Sequence, residues 1–409
     1  MAGQKTDKKW LDLTKPQVRK IIEQNRQEDP ANFALRHFEN DFPYAVVATQ
    51  LKYLAKAGKK LPEYASFDAI MPPLAYEQAS SEASARMKEL QGNRLLDLTM
   101  GLGVDTRHFA RSFAKITALE QDETLARING HNFRLFGVSN VEIIPTSAEE
   151  FLSSYPGPPF DWIYADPARR SHSGQRIHEL AAGRPNLITL LPEIKRVGRR
   201  LLVKASPLLD LHAAVKLLPG VRRLHVHSID LEVKEVLIEV DLERLEYSPL
   251  QEVALRIKCL QAGHMRTCEL PLLHSGQPPP SQLLVSPVYL CEPDPAFYKL
   301  AHLGPLGERY FQAGTHELSH PKGYFLSTKM PVNWPGRTFR LIEQFPFKPK
   351  TLKKALAQRK LNQLHVMRRN FPLNVAQLRQ QLRLKEGGQL YLICTTWRGA
   401  KVAWLGERV

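Results

Sequence analysis

The sequence predicts an α/β protein built on a doubly wound parallel sheet of seven strands, with a helical region before it and α+β domains after it. Three observations carry this expectation. From Arg94 onward the 409-residue chain alternates short apolar runs with amphipathic stretches, the rhythm of a parallel sheet covered by helices on both faces. Two β-rich runs, RRLHVHSID (222–230) and VKEVLIEVDLE (233–243), then follow one another with no helix between them, which predicts a closing antiparallel pair. After Tyr247 the periodicity changes, and the Pro-rich SGQPPPSQ (275–282) marks a linker or exposed loop.

Taken in order, residues 1 to 90 read as helical. Thr14 and Pro16 open TKPQVRKIIEQ as a capped helix, and YAVVATQLKYLAKAGKK is amphipathic with a glycine near its end. In PPLAYEQASSEASARMKEL, Ser80 or Ser81 caps a helix expected to run to Leu90 and to bring Glu82, Arg86 and Lys88 beside the next element. Strands are expected at 94–98, 115–120, 141–146, 160–165 and 199–205, and helices at 105–113, 122–136, 148–154, 176–195 and 209–218. A compact α+β segment follows over 285–345. The tail then reads as strand, amphipathic helix, glycine turn and two strands. The expected divisions are 1–90, 91–284, 285–345 and 346–409, and no internal repeat is present.

Composition narrows the function classes. With 43% hydrophobic and 24% charged residues the chain has room for two or three domains. No run approaches 18 uncharged apolar residues, and MAGQKTDKKWLDL lacks the apolar core of a signal peptide, so a cytoplasmic protein without membrane partners is expected. Cys259, Cys268, Cys291 and Cys394 are scattered, with no CxxC pair or ligand-spaced histidine, which predicts neither a disulfide nor a metal site. The net charge is +16, and residues 337–409 carry 16 Lys/Arg against Glu343, Glu386 and Glu407, so +13 of it is C-terminal. A solvated face is the plain reading of a charge run. The density, the single sign and the interleaved Phe345, Phe347, His365, Phe371, Tyr391 and Trp397 favour nucleic-acid binding instead.

The chemistry concentrates between Arg94 and Lys204. In RLLDLTMGLGVD a strand ending at Asp97 opens into Gly101 and Gly103, glycines where backbone passes close to a ligand. Thr106 stands where a dinucleotide fingerprint would place its third glycine, which lowers that reading. Glu120, ending the second strand, suits the two hydroxyls of a ribose. With Asp97, Thr99 and Asp105 around the turn and Ser147 at the third strand's exit beside an adenine, the set points to S-adenosyl-L-methionine (AdoMet). Glu149, next to it, equally suits a solvent-facing first turn of a helix.

The fourth strand closes in Asp166-Pro167. Enzymes that methylate exocyclic amines of bases carry Asn or Asp, two prolines and an aromatic there, whereas this chain has Ala168 and Arg169 in the last two places. Arg169 and Arg170 could hold a phosphate or stack on a base. LLVKASPLLD, the fifth strand's exit, has no cysteine, which argues against covalent methylation of a pyrimidine carbon. Lys88, Asp166, Lys204 and Glu235 are similar in order to the tetrad of ribose 2′-O-methyltransferases, where a lysine activates the hydroxyl, and this stands as an alternative. Lys204 could instead pair structurally with Asp166 or Glu235, and Lys88 could face solvent.

The blocks EQASSEASARMK, LLDLTMGLGVDT, YADPARR, VKASPLLDL, VKEVLIE and RRNFPLNVAQLRQQLRLKEGGQLYLICTT, six in order, resemble a bacterial family of class I AdoMet-dependent methyltransferases with a C-terminal THUMP-like domain. The resemblance spans most of residues 75–409. It implies a seven-stranded Rossmann-like methyltransferase domain, a ferredoxin-like piece beginning near SPVYLCEPDPAFYKL and a THUMP-like module. THUMP domains are associated with RNA, so the implied substrate is RNA, tRNA or rRNA, with Asp166, Arg169 and Lys204 at the acceptor and Arg169, Arg170, Arg368 and Arg369 on the RNA. Met100 departs from the glycine commoner in the turn. A non-catalytic RNA-binding scaffold on the same fold is the rival expectation.

Overall fold

The computed structural model describes residues 6–37, 42–168, 183–273, 283 and 285–409. Two compact units emerge: residues 1–227 with 234–248, and residues 228–233 with 249–409. The four-part division expected from sequence cuts across them.

Among the described residues of the first unit, a 3-10 helix (Lys8–Thr14) and six α-helices precede the sheet: α1 (Pro16–Gln24), α2 (Pro30–Arg36), α3 (Tyr44–Ala57), α4 (Pro62–Ser66), α5 (Pro73–Gln78) and α6 (Glu82–Arg86). Four of these open with a proline in the first turn, where a missing N–H costs nothing and the fixed φ is already helical. Asp29 and Ser81 cap α2 and α6 by accepting first-turn N–H groups. The apolar faces do not form a separate core. Phe33, Leu51, Leu54, Tyr64 and Ile70 pack in one cluster with Leu102, Val104, Leu125 and Ile128 of the following domain.

One expectation fails here. Helix α6 ends at Arg86 instead of Leu90, with the Met87 N–H turned back onto Ser84 and Ala85 carbonyls. The early stop swings Lys88 inward, where its fully buried ammonium meets two carboxylates, a stronger pull than the propensity of three more helical residues.

The sheet follows: β1 (Gly92–Asp97), α7 (Val104–Phe109), β2 (Phe113–Leu119), α8 (Glu123–Leu135), β3 (Val141–Ile144), α9 (Ala148–Ser154), β4 (Phe160–Ala165), β5 (Gly198–Ala205), β6 (Val221–Ile229) and β7 (Glu232–Asp241). These strands lie in the order β3-β2-β1-β4-β5-β7-β6. The β1–β2, β2–β3, β1–β4 and β4–β5 pairs are parallel and β5–β7 is antiparallel, so the expected five-plus-two topology is present. Order reverses beside β1, with β2 on one side and β4 on the other, and the strand ends at such a point form a ligand crevice. The helix expected over 176–195 falls partly on 169–182, outside the described residues. Residues 183–190 are not helical, and the helix is Leu191–Val197, started by Pro192 in its first turn.

The second unit contains a hairpin that sequence reading leaves unassigned, β8 (Ala254–Gln261) and β9 (His264–Pro271), turning through Ala262 and Gly263 at φ +47° and +80°. A second sheet runs β11-β12-β10-β13-β16-β15-β14, built from β10 (Tyr289–Pro293), β11 (His316–Leu318), β12 (Phe325–Ser327), β13 (Gly336–Pro346), β14 (His365–Arg369), β15 (Leu390–Trp397) and β16 (Ala400–Arg408). Helices Pro349–Gln358 and Val375–Leu382 bury Leu352, Leu356, Leu378 and Leu382 with Val366, Leu392 and Leu405 of this sheet. A capping box between Asn374 and Gln377 starts the second of them. The expected strand, helix, glycine turn and two strands are all found.

Candidate active site at the strand ends

The glycine turn takes its shape from two carboxylates, one buried and one half-buried. Asp97, the last residue of β1, accepts the Thr99 N–H (2.9 Å) and the Thr106 hydroxyl (2.6 Å). Glu120, just past β2, accepts the N–H groups of Gly101 and Asp122, both at 2.9 Å. Asn129 of α8 donates to the Gly101 carbonyl (2.6 Å), and the Tyr64 hydroxyl donates to the Leu102 carbonyl (3.1 Å), so the N-terminal helices hold the turn from outside. Burial pushes both Asp97 and Glu120 up to about 7, against the hydrogen bonds they receive.

The two glycines differ in purpose. Both have positive φ, +54° at Gly101 and +80° at Gly103. A Cβ on Gly103 would lie 2.8 Å from Met100 Cε and 2.9 Å from Phe133 Cε2, whereas one on Gly101 would meet nothing within 4 Å. Met100, the departure noted in the sequence, therefore fills space against Gly103, and Gly101 fronts an open volume. Gly103→Ala is expected to destabilise the protein by about 2–3 kcal/mol through strain and overpacking, and Gly101→Ala by about 1 kcal/mol through φ alone. Denaturant unfolding of both variants checks this ordering.

Beside the turn lies a connected charge network. The Lys204 ammonium, at the end of β5, donates to Asp166 Oδ2 (2.6 Å) and to Ser80 Oγ (2.9 Å). The Ser80 hydroxyl donates to Asp105 Oδ2 (2.8 Å), and the Tyr164 hydroxyl donates to the same oxygen (2.7 Å). Lys88 bridges Asp105 Oδ1 (3.0 Å) and Glu235 Oε2 (2.9 Å), and the His227 Nδ1–H donates to Glu235 Oε1 (2.9 Å). The Asp166 N–H donates to Thr99 Oγ1 (2.7 Å), which joins the network to the glycine turn.

Burial alone would neutralise these acids. For Asp105 and Glu235 it is outweighed by the Lys88 ammonium, which holds both below the usual carboxylate range. Burial raises Asp166 more than Lys204 lowers it. For Lys204 burial acts to discharge the amine, but Asp166, Asp105 and Glu235 together hold it firmly cationic. Burial pushes His227 down, so it is neutral at pH 7.

Exposure separates the network into two ends. The side chains of Asp166 and Lys204 are 35% and 16% exposed, while Lys88 and Glu235 are 0% and 2%. Of the four residues that resemble a ribose 2′-O-methyltransferase set, Asp166 and Lys204 are partly exposed and Lys88 and Glu235 are buried. Asp105, expected on the cofactor, has its oxygens occupied by three donors. Ser80, Tyr164 and His227 were not singled out as site residues.

Ser147 caps α9, accepting the Glu150 N–H at 3.1 Å. Arg169 and Arg170 lie outside the described residues. Arg368 is exposed and donates to the Phe371 carbonyl, but Arg369 folds onto the Tyr298 ring at 3.6 Å and approaches Glu292. The half-buried Lys353 and the exposed Lys348, Lys350, Lys354, Lys360, Lys385 and Lys401 have no ion-pair partner among the described residues. All four cysteines are buried and free, and no described helix is long and apolar enough to cross a membrane.

Comparison with known proteins agrees with this layout. Residues 336–408 match the THUMP domain-like family, so the module begins at β13, ten residues earlier than expected. No protein of curated function matches the chain. The crystal structure described as a "putative methyltransferase" from Porphyromonas gingivalis W83 is 27% identical, covers 99% of both chains and superimposes with a TM-score of 0.84. An rRNA methylase from Streptococcus thermophilus, 15% identical, covers 43% of this chain and 99% of its own at a TM-score of 0.27, too low to carry weight. The architecture is a methyltransferase fold with a helical N-terminal region and a C-terminal THUMP-like domain.

Proposed function

We propose that this chain, a methyltransferase fold ending in a THUMP-like domain, methylates a nucleotide of RNA, tRNA or rRNA, using AdoMet. The observation that carries the reading is the half-open Asp166–Lys204 pair at the strand ends, tied through Thr99 to a turn whose Gly101 fronts open space. AdoMet, when bound, supplies a methyl group already activated by its sulfonium. Gly101 leaves room for the methionine portion beside Asp97 and Thr99, Glu120 accepts from the ribose, and Ser147 lies on the adenine side.

Asp166 is the acceptor-side residue. Its Oδ2 is held by Lys204, and Oδ1 has no hydrogen-bond partner among the described residues, so it can accept from an N–H or O–H and take up its proton. A lysine held cationic is a donor and not a base, and Lys88 is sealed in. Both points disfavour hydroxyl activation by a lysine and support a nitrogen acceptor.

The charge of the C-terminal region supports RNA as substrate, with the unpaired lysines on and around helix Pro349–Gln358 meeting phosphates. Replacing Lys350, Lys354 and Lys360 by glutamine is expected to reduce the slope of log affinity against log salt by about two, with melting unchanged. Filter binding to bulk tRNA across a salt series measures it.

A pH dependence follows from Glu120. Only its ionised form can accept from ribose hydroxyls while keeping the Gly101 and Asp122 bonds. AdoMet affinity is expected to fall about ten-fold per pH unit below its value near 7 and to level off above it. Glu120→Gln makes that profile shallower, leaving the part owed to Asp97. Titration calorimetry tests both statements, and a wild-type affinity constant from about pH 6 to 8 would contradict them.

A further inference from the structure

We propose that Ser80, from the N-terminal helical region, is a positioning residue for methyl transfer, fixing the Lys204 ammonium against Asp166. This rests on the reading of Asp166 and Lys204 as the acceptor end of the site.

The geometry is specific. Lys204 Nζ lies 2.9 Å from Ser80 Oγ and 2.6 Å from Asp166 Oδ2, so two of its three protons are committed. A serine hydroxyl has one proton to give, and here it goes to Asp105 Oδ2 at 2.8 Å. That leaves the oxygen lone pairs facing Lys204. Asp105 is itself immobile, since Lys88 and Tyr164 hold it and its residue is 8% exposed.

The ammonium sits on a flexible four-carbon stem, and an ion pair alone fixes distance without direction. The second anchor at Ser80 supplies direction. It also stops Lys204 from swinging to Asp105, whose charge attracts it too. With Lys204 pinned on Oδ2, Asp166 keeps one rotamer and presents Oδ1 to the acceptor. Ser80 touches neither cofactor nor acceptor in this scheme and acts only through Lys204. Residues 80–88 thereby belong to the catalytic unit, Ser80 by orientation and Lys88 by keeping Asp105 ionised.

The test compares wild type, Ser80→Ala, Ser80→Cys and Ser80→Thr in steady-state transfer from radiolabelled AdoMet to RNA isolated from cells lacking the protein, with AdoMet affinity and melting measured alongside. Ser80→Ala and Ser80→Cys, which lose the strong acceptor, should lower kcat about ten-fold or more, with KM for AdoMet and melting near wild type. Ser80→Thr, which keeps the hydroxyl, should recover most of kcat. Undiminished kcat in the Ala and Cys variants, a loss confined to AdoMet affinity or to melting, or no recovery with threonine would overturn the proposal. Absence of transfer by the wild type would overturn the methyltransferase reading itself and this inference with it, a different outcome from an active wild type indifferent to Ser80.

Discussion

Asp166→Ala is expected to reduce methyl transfer at least about 10³-fold while AdoMet binds within a few-fold of wild type. The asymmetry has a structural cause. The Asp166 side chain reaches Lys204 and has one oxygen without a partner among the described residues, but its link to the glycine turn runs through its backbone N–H and Thr99, which an alanine preserves. The turn, Glu120 and Gly101 should therefore be undisturbed. Lys204 loses one of its two anchors, so Lys204→Met in the same assay should also lose transfer, and the double variant should be little worse than Asp166→Ala because the pair acts as a unit. Single-turnover transfer and AdoMet titration on each protein separate the two effects. Full activity in Asp166→Ala would remove the residue from the chemistry.

Lys88→Met should cost about 3–5 kcal/mol of stability at neutral pH, the largest stability effect of any single change discussed. Methionine matches the aliphatic stem, so little packing is lost; what disappears is the cation between Asp105 and Glu235. Those two carboxylates then lie buried without their nearest cation, with Lys204 acting only at longer range. In the wild type their folded pKa values are depressed below the unfolded ones, so the stability they confer is present above about pH 4 and is lost as pH falls through the folded values. In the variant the sign inverts. Both acids are raised, and the penalty grows as pH climbs above about 4. The gap between the two proteins should be widest near pH 7 and should close in acid, which urea unfolding at several pH values can follow. Equal stability at pH 7 would mean that Lys88 is not the counter-ion described.

What the sequence disclosed and what it hid divide along chain distance. The strands of the main sheet are legible because each is a local apolar run with a turn signal after it. Asp97, Gly101 and Gly103 lie within seven residues, and Glu120 is found one strand later by position alone. The network is another matter. Lys204 and Ser80 are 124 residues apart, and Lys88 and Asp105 are 17 apart, so no local pattern records them. Ser80 reads as a possible helix cap until the structure gives that task to Ser81. Lys88 reads either as a member of the set similar to the 2′-O-methyltransferase tetrad or as a solvent-facing lysine, because helix propensity says nothing about a carboxylate waiting inside. The β8–β9 hairpin was partly readable, with Leu255, Ile257 and Cys259 alternating inward. Its Ala262-Gly263 turn lacks the usual Asn-Gly or Asp-Gly signal, and alternation alone did not mark it. Arg369 shows the opposite error, a charge counted as free that the fold spends on Tyr298 and Glu292.

The most direct test of RNA methylation is a mass-spectrometric nucleoside analysis of RNA from cells lacking the protein, incubated with the purified chain and AdoMet labelled in its methyl group. The expected result is one labelled nucleoside, methylated on a base nitrogen, absent when Asp166→Ala replaces the wild type. No labelled nucleoside, together with no heat on titrating AdoMet into the protein, would contradict it.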